Sequence, residues 1–297
     1  MRNKIKVQEI ITPNKINSIH IEGMWNKFDV NWELDSKVNI LGGINGSGKT
    51  TLLNIIGELI SGKINGRKKA FQNAIIQFDQ DKIIYPYDFK NNESIYSIPN
   101  FAKIDTFDMP VKDKRKISTE NTYLDVELRD LIDGNSADFN FVKLHSKIQT
   151  KTIELYEQEK IEEAKIQQQR VIDFFSTIDT FFSKTNKRIV FTEDKNIVFL
   201  NGNRQLKTNQ LSSGEKQLLV ILFQVFLQEE QPYILLLDEP EISLHLNWQF
   251  KLIETIQNIN PNCQLIIATH SPAIFGEGWG DKVVDIESLK KYEDVRL

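Results

Sequence analysis

The sequence predicts an α/β fold that presents a phosphate-binding loop at the end of a buried strand. Three observations carry that expectation. A glycine-rich string, Gly43-Ile44-Asn45-Gly46-Ser47-Gly48-Lys49-Thr50-Thr51, follows a short apolar run at 37–41 and precedes helically spaced apolar residues at 51–60. Farther on, Tyr233-Ile-Leu-Leu-Leu-Asp238-Glu239-Pro240 is an unbroken apolar run ending in two carboxylates. The run from Gln264 through Ala268 to Thr269-His270-Ser271 repeats that design. Unbroken runs of this length suit parallel strands covered on both faces, and polar groups at their C-terminal ends fall where open α/β sheets place ligands.

Taken in order, residues 16–22, 27–34 and 37–41 read as strands leading into the loop. The segment 30–34 alternates apolar and polar residues, as a half-exposed strand does. A helix is expected over 49–61, then a hairpin of 73–78 with 82–87 around Asp79-Gln80-Asp81. Residues 97–105 read as irregular with a strand candidate. The stretch 111–187 is a compositional outlier. Within it, 143–182 is rich in Glu, Lys and Gln and lacks Gly and Pro, which fits one long helix or a helical hairpin. Its apolar face becomes strong at Val171, Ile172, Phe174, Phe175, Ile178, Phe181 and Phe182. A second hairpin, 188–191 with 196–200 around Glu193-Asp194-Lys195, leads to Leu211-Ser212-Ser213-Gly214-Glu215, after which 215–226 has helical spacing.

The chemistry follows from residue type. Glycines at 43, 46 and 48 let backbone N–H groups turn inward toward phosphates. Lys49 supplies a point charge for the β- and γ-phosphates, the Thr50 hydroxyl is a ligand for Mg²⁺, and the following helix adds its positive end. Asp238 is the natural partner in the metal shell. Glu239 is the candidate to orient or deprotonate an attacking water, and His270 to hydrogen-bond that water or the γ-phosphate. Trp25, Phe28 and Trp32 offer either a stack for adenine or core packing.

The four strings 43–50, 211–215, 237–240 and 269–271, in this order, resemble the ABC-type ATPase superfamily. That resemblance implies a P-loop NTPase head with a mixed sheet core, an antiparallel β subdomain and an inserted helical lobe. It divides the chain into a core at 1–110 and 188–297 and a lobe at 111–187. It also implies that two heads sandwich ATP and Mg²⁺. Ser212, Ser213 and Gly214 of one copy would then meet the γ-phosphate bound by Gly43, Asn45, Gly46, Ser47, Gly48, Lys49, Thr50 and Thr51 of another. The third and fifth signature positions depart from the usual glycine and glutamine. Gln77 is one candidate for the glutamine that couples nucleotide to the lobe.

The continuation Glu241-Ile-Ser-Leu-His245-Leu-Asn-Trp-Gln249 is similar to the RecF-like and OLD-like branch, which includes many stand-alone bacterial defence ATPases. Leu246 replaces the usual proline. His245 reads either as a residue near a partner's nucleotide or as a plain surface histidine. No nuclease module is expected after His270, because the chain ends at residue 297. The legible chemistry is ATP hydrolysis, which implies a homodimer or higher oligomer through ATP and an effector on another chain, such as a nuclease or toxin, in anti-phage defence. The alternatives are a RecF-like DNA clamp and, further off, a transporter ATPase subunit.

Composition bounds the rest. A net charge of −4 argues against wholesale coating of nucleic acid. Three basic clusters (Lys63 with Arg67, Lys68 and Lys69; Lys112 with Lys114, Arg115 and Lys116; Lys184 with Lys187 and Arg188) leave nucleic-acid contact open, against solvated loops. The single cysteine, Cys263, excludes a disulfide framework and fits a reducing cytoplasm. No leader segment or membrane span is expected.

Overall fold

A computed structural model describes residues 13–63, 70–79, 82–85, 99–105, 110–113, 116–134, 140–192, 196–276 and 278–292. They fall into two compact units, one within Met1–Asp105, Pro232–Glu239 and Asn262–Leu297, the other within Thr106–Gln231 and Pro240–Pro261. The first unit begins with β1 (Ile16–Met24), β2 (Phe28–Glu33), β3 (Val38–Gly42), α1 (Lys49–Ser61), β4 (Asn73–Phe78), β5 (Lys82–Tyr85) and β6 (Phe101–Asp105). The second follows with β7 (Pro110–Asp113), β8 (Lys116–Thr122), α2 (Tyr123–Asp133), α3 (Phe141–Glu157) and α4 (Ile161–Phe182). It continues through β9 (Lys187–Phe191), β10 (Ile197–Asn201), β11 (Arg204–Leu206) and α5 (Ser213–Phe226). The chain returns to the first unit for β12 (Tyr233–Asp238) and contributes α6 (Leu246–Ile259) to the second. It ends in the first with β13 (Cys263–Ala268), α7 (Pro272–Phe275), β14 (Val283–Asp285), α8 (Ile286–Leu289) and β15 (Lys290–Tyr292).

In the first unit every residue of β3, β12 and β13 is buried, as unbroken apolar runs require. They lie in a five-stranded sheet of order β14-β3-β13-β12-β6, with every described pair parallel. The antiparallel strands form a separate five-stranded sheet, β15-β2-β1-β4-β5. The core is thus mixed, with strand direction segregated by sheet. Helix α1 buries Leu52, Leu53, Ile55, Ile56, Leu59 and Ile60, too many positions for a single stripe. They pack in one cluster with Ile19, Ile21, Val30 and Ile76 of the antiparallel sheet and Ile234, Leu236 and Ile266 of the parallel sheet. Truncating one of them, Ile56→Ala for example, removes about 2–5 kcal/mol of stability. Buried Gln264 ties the layers with polar bonds: its amide donates to the carbonyls of Ile16 (2.8 Å) and Asp35 (2.9 Å) and accepts from the Ile16 N–H (2.7 Å).

In the second unit the stretch 143–182 is a helical hairpin, α3 and α4, rather than one long helix. Glu159 turns the chain with φ of 60°, and the Lys160 N–H closes back on the Leu155 carbonyl. Phe174, Ile178, Phe181 and Phe182 are buried as expected, whereas Ile172 is 58% exposed and Val171 half-buried. Phe141, Phe174, Phe175, Phe191, Phe223 and Phe226 form a connected aromatic core, with Phe174 stacked on Phe226 at 4.0 Å. The lobe expected over 111–187 falls inside this unit, which also takes in β9–β11, α5 and α6. The turns at 80–81 and 193–195 lie outside the described residues, as do Arg67, Lys68, Lys69, Lys114 and Arg115. Among the described residues no helix is long and apolar enough to cross a membrane.

Candidate functional site

The parallel register brings three chain reversals to one edge of the sheet. Leu41 pairs with Ala268, and Ala268 with Asp238, so the segments after β3, β13 and β12 leave side by side. Two further ladder bonds extend the alignment: Thr269 N–H to the Leu41 carbonyl (3.1 Å) and Glu239 N–H to the Ala268 carbonyl (2.7 Å). The loop 43–51, the pair Asp238-Glu239 and Thr269-His270 therefore meet by topology.

The loop has the shape its composition predicts. Gly48 holds φ of 109° immediately before α1, and a Cβ there would lie 2.8 Å from the Trp25 ring. Trp25 and Asn26, with φ of 53° and 57°, form the tight primed turn between β1 and β2, which sets the indole against the loop. No side chain caps α1 and no acid of the helix itself occupies its first turn. Lys49 is buried at 3% exposure, its ammonium donating to the carbonyls of Gly43 (2.9 Å) and Ile44 (3.1 Å). The buried Ser47 hydroxyl has no protein partner. Asn45 and Gly46 are exposed, and Thr51 lies half-buried on the first turn of α1.

Thr50 and Asp238, far apart in sequence, are joined by a 3.0 Å hydrogen bond from the Thr50 hydroxyl to Asp238 Oδ1. Glu239 takes the left-handed backbone region at φ of 48°, which costs a non-glycine residue energy and aims its carboxylate off the strand. His270 Nδ1 lies 3.9 Å from Glu239 Oε1, and both side chains are partly exposed. This cradle fits a triphosphate and Mg²⁺: a loop with glycines at positive φ (Gly43, Gly46, Gly48), a buried ammonium, an unpartnered hydroxyl and a hydroxyl–carboxylate pair. Magnesium is commonly held by one or two such protein oxygens together with substrate phosphates.

The signature lies in the second unit, at the N-terminus of α5. Ser212 is the N-cap. Its hydroxyl accepts the Glu215 N–H (3.3 Å), and Glu215 Oε2 accepts the Ser212 N–H (2.8 Å), a reciprocal capping box. Ser212 and Ser213 are exposed, whereas Gly214 is buried. A Cβ on Gly214 would come within 2.2 Å of the Ser243 carbonyl, so glycine is required by close approach. Buried Gln249 holds that partner segment, donating to the carbonyls of Glu241 (3.2 Å) and Leu244 (2.9 Å). His245 is an exposed N-cap of α6, its Nδ1 accepting the Asn247 N–H at 3.3 Å. Gln77 sits in β4, paired with Ser18 and Lys82.

A family model described as "AAA domain, putative AbiEii toxin, Type IV TA system" matches residues 38–276, which include all four motifs. The chain belongs to this family. As a member it is a P-loop protein of the ATPase class. Septu protein PtuA of Bacillus thuringiensis is 25% identical over 295 residues, covering 86% of this chain and 72% of that protein. Retron Vc95 probable ATPase of Vibrio cholerae is 27% identical over 146 residues, covering 45% of this chain and 28% of the relative's length. Similar solved structures include an SMC head domain from Thermotoga maritima (15% identity, TM-score 0.48, 88% of this chain and 91% of that one). The recombination mediator RecF with ATPγS is another (14% identity, TM-score 0.46, 94% and 99%). At these scores the fold assignment rests on the topology of the chain itself.

Two residues have tasks that the sequence does not show. Lys187, one of a basic cluster with Lys184 and Arg188 in the sequence, donates to both Glu215 oxygens at 2.8 Å. In the sequence Gln249 is only the last residue of the 241–249 motif. Its structural task is legible only once the 241–244 turn is seen beside it. Of the aromatic candidates, Trp32 and Phe28 are core residues, while Trp25 borders the loop.

Proposed function

We propose that this protein is an Mg²⁺-dependent ATPase that closes as an ATP-sandwiched dimer and acts as a switch for an effector on another chain, in anti-phage defence. The observation that carries the chemistry is the convergence of Lys49, the Thr50–Asp238 pair, Glu239 and His270 on one sheet edge.

Residues 43–51 hold the triphosphate, with backbone N–H groups and the Lys49 ammonium on its β- and γ-oxygens. Thr50 and Asp238 would hold Mg²⁺, which would supply neutralising charge to those oxygens. Glu239 orients a water in line with the γ-phosphorus and takes its proton at Oε1. The water oxygen bonds to phosphorus as the bond to the bridging oxygen breaks, releasing ADP and phosphate. His270, beside Oε1, steadies the same water or the γ-oxygen. Trp25, held against Gly48, is the aromatic best placed to stack on adenine.

Two features support assembly through the nucleotide. Ser212 and Ser213 are exposed at an anion-receptive helix terminus. Apolar side chains also stand exposed in and beside the motifs: Ile44 at 79%, Ile242 at 48% and Leu246 at 54%. The defence role draws on the resemblance to stand-alone defence ATPases and on the family's description as a toxin–antitoxin domain. The effector, and a cytoplasmic location, belong to the same reading.

Glu239→Gln tests it. The variant should lose turnover by at least about a hundredfold, the scale of general-base catalysis, and accumulate an ATP-bound dimer by light scattering. A monomer at saturating ATP would count against the sandwich.

A further inference from the structure

Glu215 places a carboxylate in the first turn of α5, beneath the residues assigned above to a second copy's γ-phosphate. It is 2% exposed, so solvent does little to screen it. Oε2 accepts the Ser212 N–H at 2.8 Å, and the Lys187 ammonium sits 2.8 Å from both oxygens. A carboxylate here favours the helix itself, but it opposes any anion approaching the same terminus. The lysine cancels that opposition.

Lys187 is fixed for this task. It opens β9, pairs with Asn201 of β10, and stands two residues before Ile189, whose N–H is held by Asp179 at 2.8 Å. Capping alone does not call for an ion pair, since a glutamine oxygen accepts the Ser212 N–H equally well. A buried ion pair in place of a neutral amide costs desolvation. Its distinct consequence is electrostatic: the ammonium offsets the negative charge that Glu215 places at the signature terminus.

We propose that Lys187 is a positioning residue for nucleotide-driven assembly, neutralising Glu215 so that Ser212 and Ser213 receive the phosphate of another copy. The proposal rests on the sandwich reading. Lys187 touches no substrate; it acts through Glu215.

The test is a double-mutant cycle in the Glu239→Gln background, comparing K187M, E215Q and K187M/E215Q. Dimerisation is followed by light scattering against ATP concentration, and binding of a fluorescent ATP analogue is measured on dilute monomers. K187M should weaken ATP-driven dimerisation about tenfold or more, as one uncompensated charge near a phosphate does. E215Q should change it little, and the double variant should return it to within about threefold of the parent. Monomer nucleotide binding should stay level throughout. A K187M protein that dimerises like the parent, or a double variant as defective as K187M, overturns the proposal. If K187M alone does not fold, the double variant decides: recovery supports it and failure overturns it. A parent that stays monomeric with ATP removes the sandwich itself and this proposal with it, an outcome distinct from the other two.

Discussion

Residue identity carries most of the chemistry in this protein, because phosphate binding leaves few choices. A loop that must turn backbone N–H groups inward selects glycine, and a buried cation beside it selects lysine. That is why 43–51, Asp238, Glu239 and His270 stand out in the sequence as candidates, and the fold sets them at one sheet edge. Lys187 and Gln249 do not stand out, since each acts on a partner that only the fold brings near. Gly214 makes the sharpest residue-scale prediction. Its missing Cβ would lie 2.2 Å from the Ser243 carbonyl, so Gly214→Ala must push α5 away from the 241–244 turn. The expected result is at least about a tenfold loss of ATP turnover, from an overpacking cost of about 1–3 kcal/mol at the signature. Nucleotide affinity of the dilute monomer should hold. Wild-type turnover in Gly214→Ala would show that the close approach is dispensable.

Among the elements, the buried strands, the main helices and two hairpins were readable, and several short strands were not. β12 and β13 announce themselves as apolar runs, and α1 and α5 by spacing. β7 and β8 lie in a polar stretch without period. β14 and β15 are three residues each, their places set by pairing with β3 and β2 rather than by local pattern. Helix α2 carried a signal that was passed over: Thr122-x-x-Asp125 is a capping box, and Leu124, Leu128, Leu131 and Ile132 follow at helical spacing. Asp125 also meets Lys216 of α5 at 3.0 Å, both side chains buried, so the pair joins α2 to the signature helix. Lys216→Met leaves that carboxylate buried without its cation and should cost about 3–5 kcal/mol, read as a lower urea midpoint. Burial pushes the Asp125 carboxyl up, but hydrogen bonds from Thr122 and Lys216 outweigh it and hold the group below its ordinary value. With the folded-state value depressed, the stabilisation is complete above the unfolded value of about 4 and is lost as pH falls through the folded one. Urea titrations from pH 6 downward should therefore show an acid loss that Asp125→Asn flattens. An unchanged slope in that variant would assign the acid sensitivity elsewhere.

Across the whole molecule, the chain weaves between two compact units. The phosphate loop, Asp238, Glu239 and His270 belong to the first, and Ser212–Gly214 to the second. The second unit holds the helical hairpin together with β9–β11, α5 and α6. Packing partners, not composition, set that membership. The two halves of the proposed ATP grip are thus separate constructions, which is what a reversible switch between copies uses: nucleotide ties together surfaces that otherwise part. Complementation tests this claim directly. Lys49→Ala disables the phosphate loop but keeps the signature, and Ser212→Arg does the reverse. Each variant alone should be inactive. Mixed in equal amounts, they should regain a substantial share of wild-type ATPase activity, because a mixed dimer contains one intact composite site. Two well-folded variants that stay inactive when mixed, while wild type at the same concentration turns over, would contradict a site shared between copies.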